Sequence, residues 1–353
     1  MLQTQATDAS PGSVAPTLST TLTWRDTLKR WSLRWGVGRY HATVAPGLYR
    51  IGSPAPASPV LATCNYRMTV DLLRRDLAGV DCWLLVLETF GVNVWCAAGK
   101  GAFGTDELAR RIYAVHLAEV VDHERIVLPQ LGAVGVAAQT VRELTGYRVV
   151  WGPIRSRDVR AFLSAGMKAT PEMRAVTFTF AERIALAPVE FLGAWRWAWA
   201  ILVLAVLAAG GASVGAHRLT PRVALLALVP SVLAYALGTL AGGVAVPALL
   251  PWLPGRAFSV KGAFAGAVLA LVALAAPTGM LGMMSPTLWA AVVLGVAAFA
   301  SYVAVNFTGA TPFTSPSGVE RELRRALPWQ ATALVVALVI WAIAWAGVGG
   351  RIG

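Results

Sequence analysis

Three cysteines, Cys64, Cys82 and Cys96, are the strongest nucleophiles and the softest metal ligands in the chain. No CxxC motif joins them, and an odd count does not suit a disulfide framework. Three thiols also fall short of the four that an iron–sulfur cluster usually requires, so no cluster is expected in this chain. Cys96 is set apart by its surroundings, Asn93-Val94-Trp95-Cys96-Ala97-Ala98-Gly99-Lys100. Asn is a favoured helix N-cap, and Gly99 and Gly101 are stop signals. A short helix over 94–100 is therefore predicted, with Cys96 in its first turn, where unpaired backbone N–H groups favour an anion such as a thiolate. Lys100 adds positive charge, and Ala97 and Ala98 leave room for a large group against the helix. Residue type and spacing alone suit a buried structural cysteine equally well.

The other reactive residues carry less. Cys64 and Cys82 lie in or beside apolar runs and are expected to pack there, although Cys64 follows Thr63 and has the chemistry to handle a soft metal transiently. His116 and His123 are not at a metal-ligand spacing, and no HxxxH occurs. Met280, Met283 and Met284 sit at the end of an apolar stretch, where methionine is a packing residue. Gly99-Lys100-Gly101 and Gly104 form a glycine-rich run, but not in the order of a P-loop or of a dinucleotide fingerprint.

The elements that must position Cys96 alternate. Strands are predicted over 59–63, 83–89, 125–128 and 147–151. Helices are predicted over 69–78, 106–120 with Thr105 as N-cap, 135–145 closed by Gly146, and 156–165 ending at Gly166. Strand–helix alternation implies an α/β, Rossmann-like parallel sheet. Such sheets bind ligands outside the carboxyl ends of their strands. The loops 90–104, 129–135 and 152–156, with the turn Thr63-Cys64-Asn65-Tyr66, are the places to look.

Charge divides the chain. Of its 353 residues only 14% are charged, against about 25% in soluble domains. All but two of the 18 acidic residues lie at or before Glu190, the exceptions being Glu320 and Glu322, expected in one short loop. Residues 37–190 are thus expected to be a soluble domain and 191–353 an all-α transmembrane bundle. Residues 1–36 are expected to be a loosely ordered or disordered tail. Polar residues 1–20 lack a secretory signal, which places the soluble domain in the cytoplasm. Five spans are predicted, at about 194–214, 223–246, 261–282, 287–307 and 329–348. The positive-inside rule then puts Arg256, Lys261, Arg321, Arg324 and Arg325 inside, Arg218 and Arg222 outside, and the carboxyl terminus outside. The result is a multi-pass protein of the cytoplasmic (inner) membrane, in contact with the lipid bilayer.

No acidic residue falls inside a predicted span, against an ion-coupled transporter. Gly238, Gly242 and Gly243 permit close helix packing. The segment 307–318 is too rich in Pro, Gly and hydroxyls for a helix, and suits a re-entrant or an ordinary cytoplasmic loop. A net charge of +12 without a basic run interleaved with aromatics does not point to nucleic acid.

The signature at 93–100, continuing through Gly101-Ala102-Phe103-Gly104-Thr105-Asp106-Glu107-Leu108, closely resembles that of the HgcA family of mercury-methylating corrinoid proteins. The resemblance extends to Pro129-Gln130-Leu131-Gly132-Ala133, Val149-Val150-Trp151-Gly152-Pro153 and Ala165-Gly166-Met167-Lys168-Ala169-Thr170. It also includes the hydroxyl-rich stretch ending in Gly318-Val319-Glu320. It covers about 37–350, including the order of a corrinoid domain followed by five spans. The soluble domain also resembles the corrinoid-binding part of the corrinoid iron–sulfur protein large subunit, which carries its own cluster and no membrane domain.

This resemblance implies a corrinoid of the cobalamin or methylcobalamin type with Cys96 as the axial cobalt ligand. It implies a cap formed by Asn93, Val94, Trp95, Ala97, Ala98, Gly99 and Lys100, with Thr63 near the corrin. Gln130, Gly132, Gly152, Met167, Lys168 and Ala169 are expected to line the pocket for the cofactor's tail. The implied activity is a methyltransferase acting on Hg(II). Hg(II) is an electrophile and needs the methyl group as a carbanion or radical equivalent, which a strong thiolate donor opposite the methyl favours. Regenerating the cofactor then calls for a dicluster ferredoxin-like electron donor of the HgcB type and a methyl-tetrahydrofolate-linked methyl donor. The alternatives are a membrane-anchored corrinoid methyl carrier for another acceptor, or a membrane transport protein with a sensing domain.

Overall fold

Two strands with every residue buried, β2 (Val60–Cys64) and β3 (Cys82–Leu87), form the centre of the amino-terminal unit. Buried on both faces, they must be covered by helices on both faces. Their side chains alternate accordingly. Trp83, Leu85 and Leu87 enter one core with Ala62 and Cys64, while Cys82, Leu84 and Val86 enter the other with Leu61. The computed structural model describes residues 15–195, 199–200, 203, 221–275, 285–308 and 316–349. The chain divides into two units, Met1–Thr177 and Phe178–Gly353, earlier than the 190/191 border expected from charge.

In the first unit β1 (Gly47–Ile51), β4 (Arg125–Pro129) and β5 (Arg148–Gly152) complete a five-stranded sheet of order β1-β3-β2-β4-β5. Strands β2 to β5 run parallel, and β1 is an antiparallel edge on β3. The helices are α1 (Trp24–Arg34), α2 (Arg67–Asp76), α3 (Val94–Gly99), α4 (Thr105–Ala114), α5 (Leu117–Val120), α6 (Ala138–Thr145) and α7 (Val159–Ser164).

Several expectations are corrected. Residues 15–36 are not a loose tail: α1 has a capping box from Thr23 to Asp26, and Leu33 is fully buried. Strand β1 was not anticipated. The helix expected over 106–120 breaks at His116, whose φ of 49° no α-helix accepts, giving α4 and α5. Thr105 is the first helical residue rather than the cap; its hydroxyl accepts a hydrogen bond from Ala137 N at 2.9 Å. His123 meets the carbonyl of Ser58 at 2.9 Å, a structural contact.

The second unit holds α8 (Phe180–Ile184), α9 (Ala187–Trp195), α10 (Pro221–Leu240), a π-helical turn (Ala241–Ala245), α11 (Val246–Leu249), α12 (Phe258–Ala275), α13 (Pro286–Thr308) and α14 (Pro316–Gly349). Among the described residues, four helices are long and apolar enough to cross a membrane: Leu228–Leu249, Phe258–Ala275, Pro286–Phe307 and Gly318–Ala344. The span expected at 194–214 lies almost wholly outside the described residues. Gly262 and Gly266 let α12 approach α13 closely. A Cβ on Gly262 would stand 2.5 Å from the carbonyl oxygen of Ala300, and one on Gly266 2.7 Å from the Ala300 side chain, as small residues permit in bilayers.

The segment 307–318 is corrected at its two ends. Phe307 and Thr308 close α13, Pro316–Gly318 open α14, and 309–315 lie outside the described residues. Proline suits the first turn of a helix, and Glu320 supports it through Arg324 at 2.7 Å. Glu322 is likewise helical and accepts a hydrogen bond from Ser259 N at the head of α12, at 2.7 Å.

Candidate functional site

The chain must turn from β3 into α3 within a few residues, and one side chain governs the turn. Asn65, buried just past the end of β2, accepts hydrogen bonds at Oδ1 from Thr89 N at 3.2 Å, Thr89 Oγ1 at 2.8 Å and Gly91 N at 3.0 Å. Its Nδ2 donates to Glu88 Oε1 at 2.6 Å, and the same carboxylate oxygen accepts from Phe90 N at 2.7 Å. Glu107 on α4 accepts from Glu88 N at 2.7 Å. Phe90 is held at a φ of 56°, a conformation a bulky residue adopts only when its neighbours enforce it.

From this turn α3 starts at a defined point. Asn93 caps it, its Oδ1 accepting from Cys96 N at 2.9 Å. Val94, Ala97 and Ala98 face the core, while Trp95, Cys96, Gly99 and Lys100 are exposed. Ala97 and Ala98 share a buried cluster with Phe103, and Gly135 approaches the backbone so closely that a Cβ there would lie 2.3 Å from Phe103 O and 2.9 Å from Ala98 O. Both alanines are part of the domain's buried core.

The three thiols separate cleanly. Burial pushes Cys64 up, against weaker opposing hydrogen bonds from Thr69 and its neighbours. Burial, with help from Asp81, pushes Cys82 up to about 12. Cys96 alone is exposed. Among the described residues no group of three or more His, Cys, Asp or Glu could hold a metal ion.

A cavity of about 290 Å³ opens at the carboxyl ends of β2, β4 and β5. Of the predicted site residues, Thr63, Asn93, Val94, Trp95 and Gly152 line it together. Thr69 and Leu72 of α2 and Ile154, Ser156 and Val159 beyond β5 also line it. Sequence reasoning had marked the loop 152–156 but not α2, whose polar and apolar residues follow ordinary helical periodicity. Gln130 lies just past β4, and its Oε1 is buried without a hydrogen-bond partner. Gly132 meets the ring of Phe103, where a Cβ would come within 2.6 Å. Met167 and Ala169 pack against the opposite core and Lys168 is exposed; none of the three is among the cavity's lining.

The sequence that builds this arrangement, an exposed thiol on a capped helix beside a cavity at the carboxyl edge of a parallel sheet, is similar to those of known proteins. Residues 26–163 match CdhD, the CO dehydrogenase/acetyl-CoA synthase delta subunit family. The CdhD match takes in all but the first two residues of α1, all five strands and α3. Curated relatives agree with it. The gamma subunit of the acetyl-CoA decarbonylase/synthase complex of Methanopyrus kandleri is 36% identical over 122 residues, 34% of this chain and 26% of that protein. Its counterpart from Archaeoglobus fulgidus is 34% identical over the same shares. The corrinoid/iron–sulfur protein large subunit of Moorella thermoacetica is 30% identical over 122 residues, 34% of this chain and 27% of that protein. The chain spans about a quarter of the length of these relatives.

Proposed function

We propose that the amino-terminal unit binds a corrinoid through Cys96 and that the chain transfers a methyl group from it to Hg(II), giving methylmercury. The observation that carries this reading is the placement of Cys96. It is the one exposed thiol of three, on a short helix whose first residues border a cavity at the carboxyl edge of the sheet. The relative named a corrinoid/iron–sulfur protein supports the cofactor class.

The residues present fit such a group. The cavity lies at the low end of ligand-pocket volumes, which run from about 300 to 1,000 Å³, so it suits a cofactor's tail rather than its ring. Gln130 stands between the lining residues Pro129 and Leu131 without itself lining the cavity, and its buried Oε1 is an acceptor without a donor. A thiolate is the soft donor that a protein uses to tune a metal cofactor. When bound, the corrinoid supplies a cobalt-borne methyl group. Asn93 fixes the helix start that holds Cys96, partly exposed Trp95 lines the cavity, and the buried Thr63 adds a hydroxyl-bearing residue to its wall. Gly152 keeps the floor low, since a Cβ there would lie 2.9 Å from Val127. The partners that follow are a dicluster ferredoxin-like electron donor and a methyl-tetrahydrofolate-linked methyl donor. On this reading the chain is a multi-pass protein of the cytoplasmic membrane with the sheet domain on the cytoplasmic side, a location that the four long apolar helices support.

The test is anaerobic incubation of the purified chain, loaded with methylated corrinoid, with Hg(II). Methylmercury is expected, and its absence with the cofactor intact would overturn the reading. Cys96→Ala is expected to abolish transfer and change the cofactor's absorption spectrum; an unchanged spectrum would remove Cys96 as the ligand. A second reading, a methyl carrier for a carbon or metalloid acceptor, is favoured by the relatives' names, which are of acetyl-CoA complexes. It predicts an intact Cys96-dependent spectrum without methylmercury.

A further inference from the structure

Helix α1 has two opposite faces, and only one of them is packed among the described residues. On the inner face Leu33 is fully buried, and Asp26 turns toward α2, with Arg67 Nη2 at 3.0 Å and Arg74 Nη2 at 3.1 Å. The capping box fixes the helix's first turn. The orientation of α1 on the domain is therefore set by a buried leucine, an ion-paired carboxylate and a cap.

The outer face carries what a water-exposed helix should not. Trp24, Leu28, Trp31 and the C-cap residue Trp35 follow at spacings of four, three and four, a single stripe along the helix, and are 71, 62, 61 and 40% exposed. Arg25 and the exposed Lys29 lie to one side of the stripe and Arg34 to the other, while Arg30 is half-buried among the charges of α2. The guanidinium of Arg25 lies over the Trp24 ring, 5.4 Å from its centroid. The helix's one acidic residue is Asp26, which is engaged inward, so the outward surface is apolar at its centre and cationic at its rim.

We propose that this stripe docks on the surface of an anionic lipid bilayer, making α1 a second membrane attachment for a chain already read as membrane-spanning. Tryptophan favours the bilayer interface, where an aromatic body meets a polar layer. A helix with apolar residues on one face and Lys/Arg beside them lies in that plane, drawn by burial and by negative headgroups. A protein occupant would need its own acidic rim; the bilayer that holds the spans already supplies one. The amino-terminal unit is thereby presented to the membrane in a fixed attitude, with α1 as its sole.

The test uses the full chain in lipid nanodiscs, with Leu28→Cys in a Cys96→Ser background and an environment-sensitive fluorophore on the new thiol. Cys64 and Cys82 are buried and stay unlabelled. In nanodiscs of phosphatidylcholine mixed with phosphatidylglycerol, quenching by doxyl-labelled lipid is expected, weaker with phosphatidylcholine alone and weaker at high salt. Arg25→Glu with Lys29→Glu should lower the docked-to-free ratio by about fivefold for each positive charge lost, before any added repulsion. Trp31→Cys, labelled in the same way, should behave as position 28 does. A chain that enters nanodiscs but leaves both labels unquenched in either lipid overturns the docking proposal alone. So does a label already shielded in detergent and indifferent to lipid, which would assign the stripe to a protein surface. A chain that does not enter nanodiscs overturns the membrane-spanning reading as well.

Discussion

At the scale of single residues, exposure sorts the three thiols. Between neutral pH and about pH 10, Cys82 stays protonated because its thiol is pushed up to about 12, and burial holds Cys64 up as well. An impermeant maleimide added to the folded protein should therefore modify Cys96 alone, read as one adduct by intact mass; three adducts should follow unfolding. Two adducts on the folded chain would contradict the packing described. Cys96 was legible as a candidate from its flanking Asn93 and Gly99, but the direction in which it points was not. Exposure depends on which side of a six-residue helix meets the sheet, and Ala97 and Ala98 give no signal of that until Gly135 and Phe103 are seen against them.

At the scale of elements, α3 depends on the turn before it. Asn93→Ala should cost about 1 kcal/mol through loss of the cap, measured by denaturant unfolding of the whole protein. Asn65→Ala should cost more, about 2–3 kcal/mol, because it strands buried N–H groups of the 88–92 turn without an acceptor. Both should raise hydrogen exchange across 88–100 while leaving β4 and β5 unaffected. Helix α1 adds a pH-sensitive contact. Burial raises the carboxyl of Asp26, but hydrogen bonds from Thr23 and the charge of Arg74 outweigh it and leave the group below its ordinary 3.8. A depressed carboxyl stabilises the fold above its unfolded value, and the contribution is lost as pH falls through the folded one. Exchange protection of α1 should thus decline below about pH 4, and Asp26→Asn should remove that dependence.

The strands and most of the helices of the sheet domain were legible because alternation and turn residues mark them: Gly146, for one, closes α6 at a φ of 80°. Helix α1 was not, because two tryptophans and a leucine on its outer face blur the usual rule that apolar means inward. Strand β1 was missed because an edge strand of five residues carries little pattern. The break at His116 is invisible in sequence, since the apolar periodicity of 106–120 continues across it.

For the molecule as a whole, the charge asymmetry along the chain predicts sidedness. In inside-out membrane vesicles the maleimide should reach Cys96, and in sealed right-side-out vesicles it should not; the reverse pattern would invert the proposed topology. Helix α14 bears on how deep the bundle sits. Its 34 residues make a rod about 51 Å long at 1.5 Å per residue, and Glu320, Arg321, Glu322, Arg324 and Arg325 occupy its head. Those charges cannot sink into hydrocarbon. The uncharged remainder, residues 326–349, is about 36 Å long and faces a core of about 30 Å. The surplus can be relieved by tilting the rod or by bending it at Pro328. With α14 read as a span, thicker membranes should stand it upright, and thinner ones should lean it over with its charged head still at the waterline.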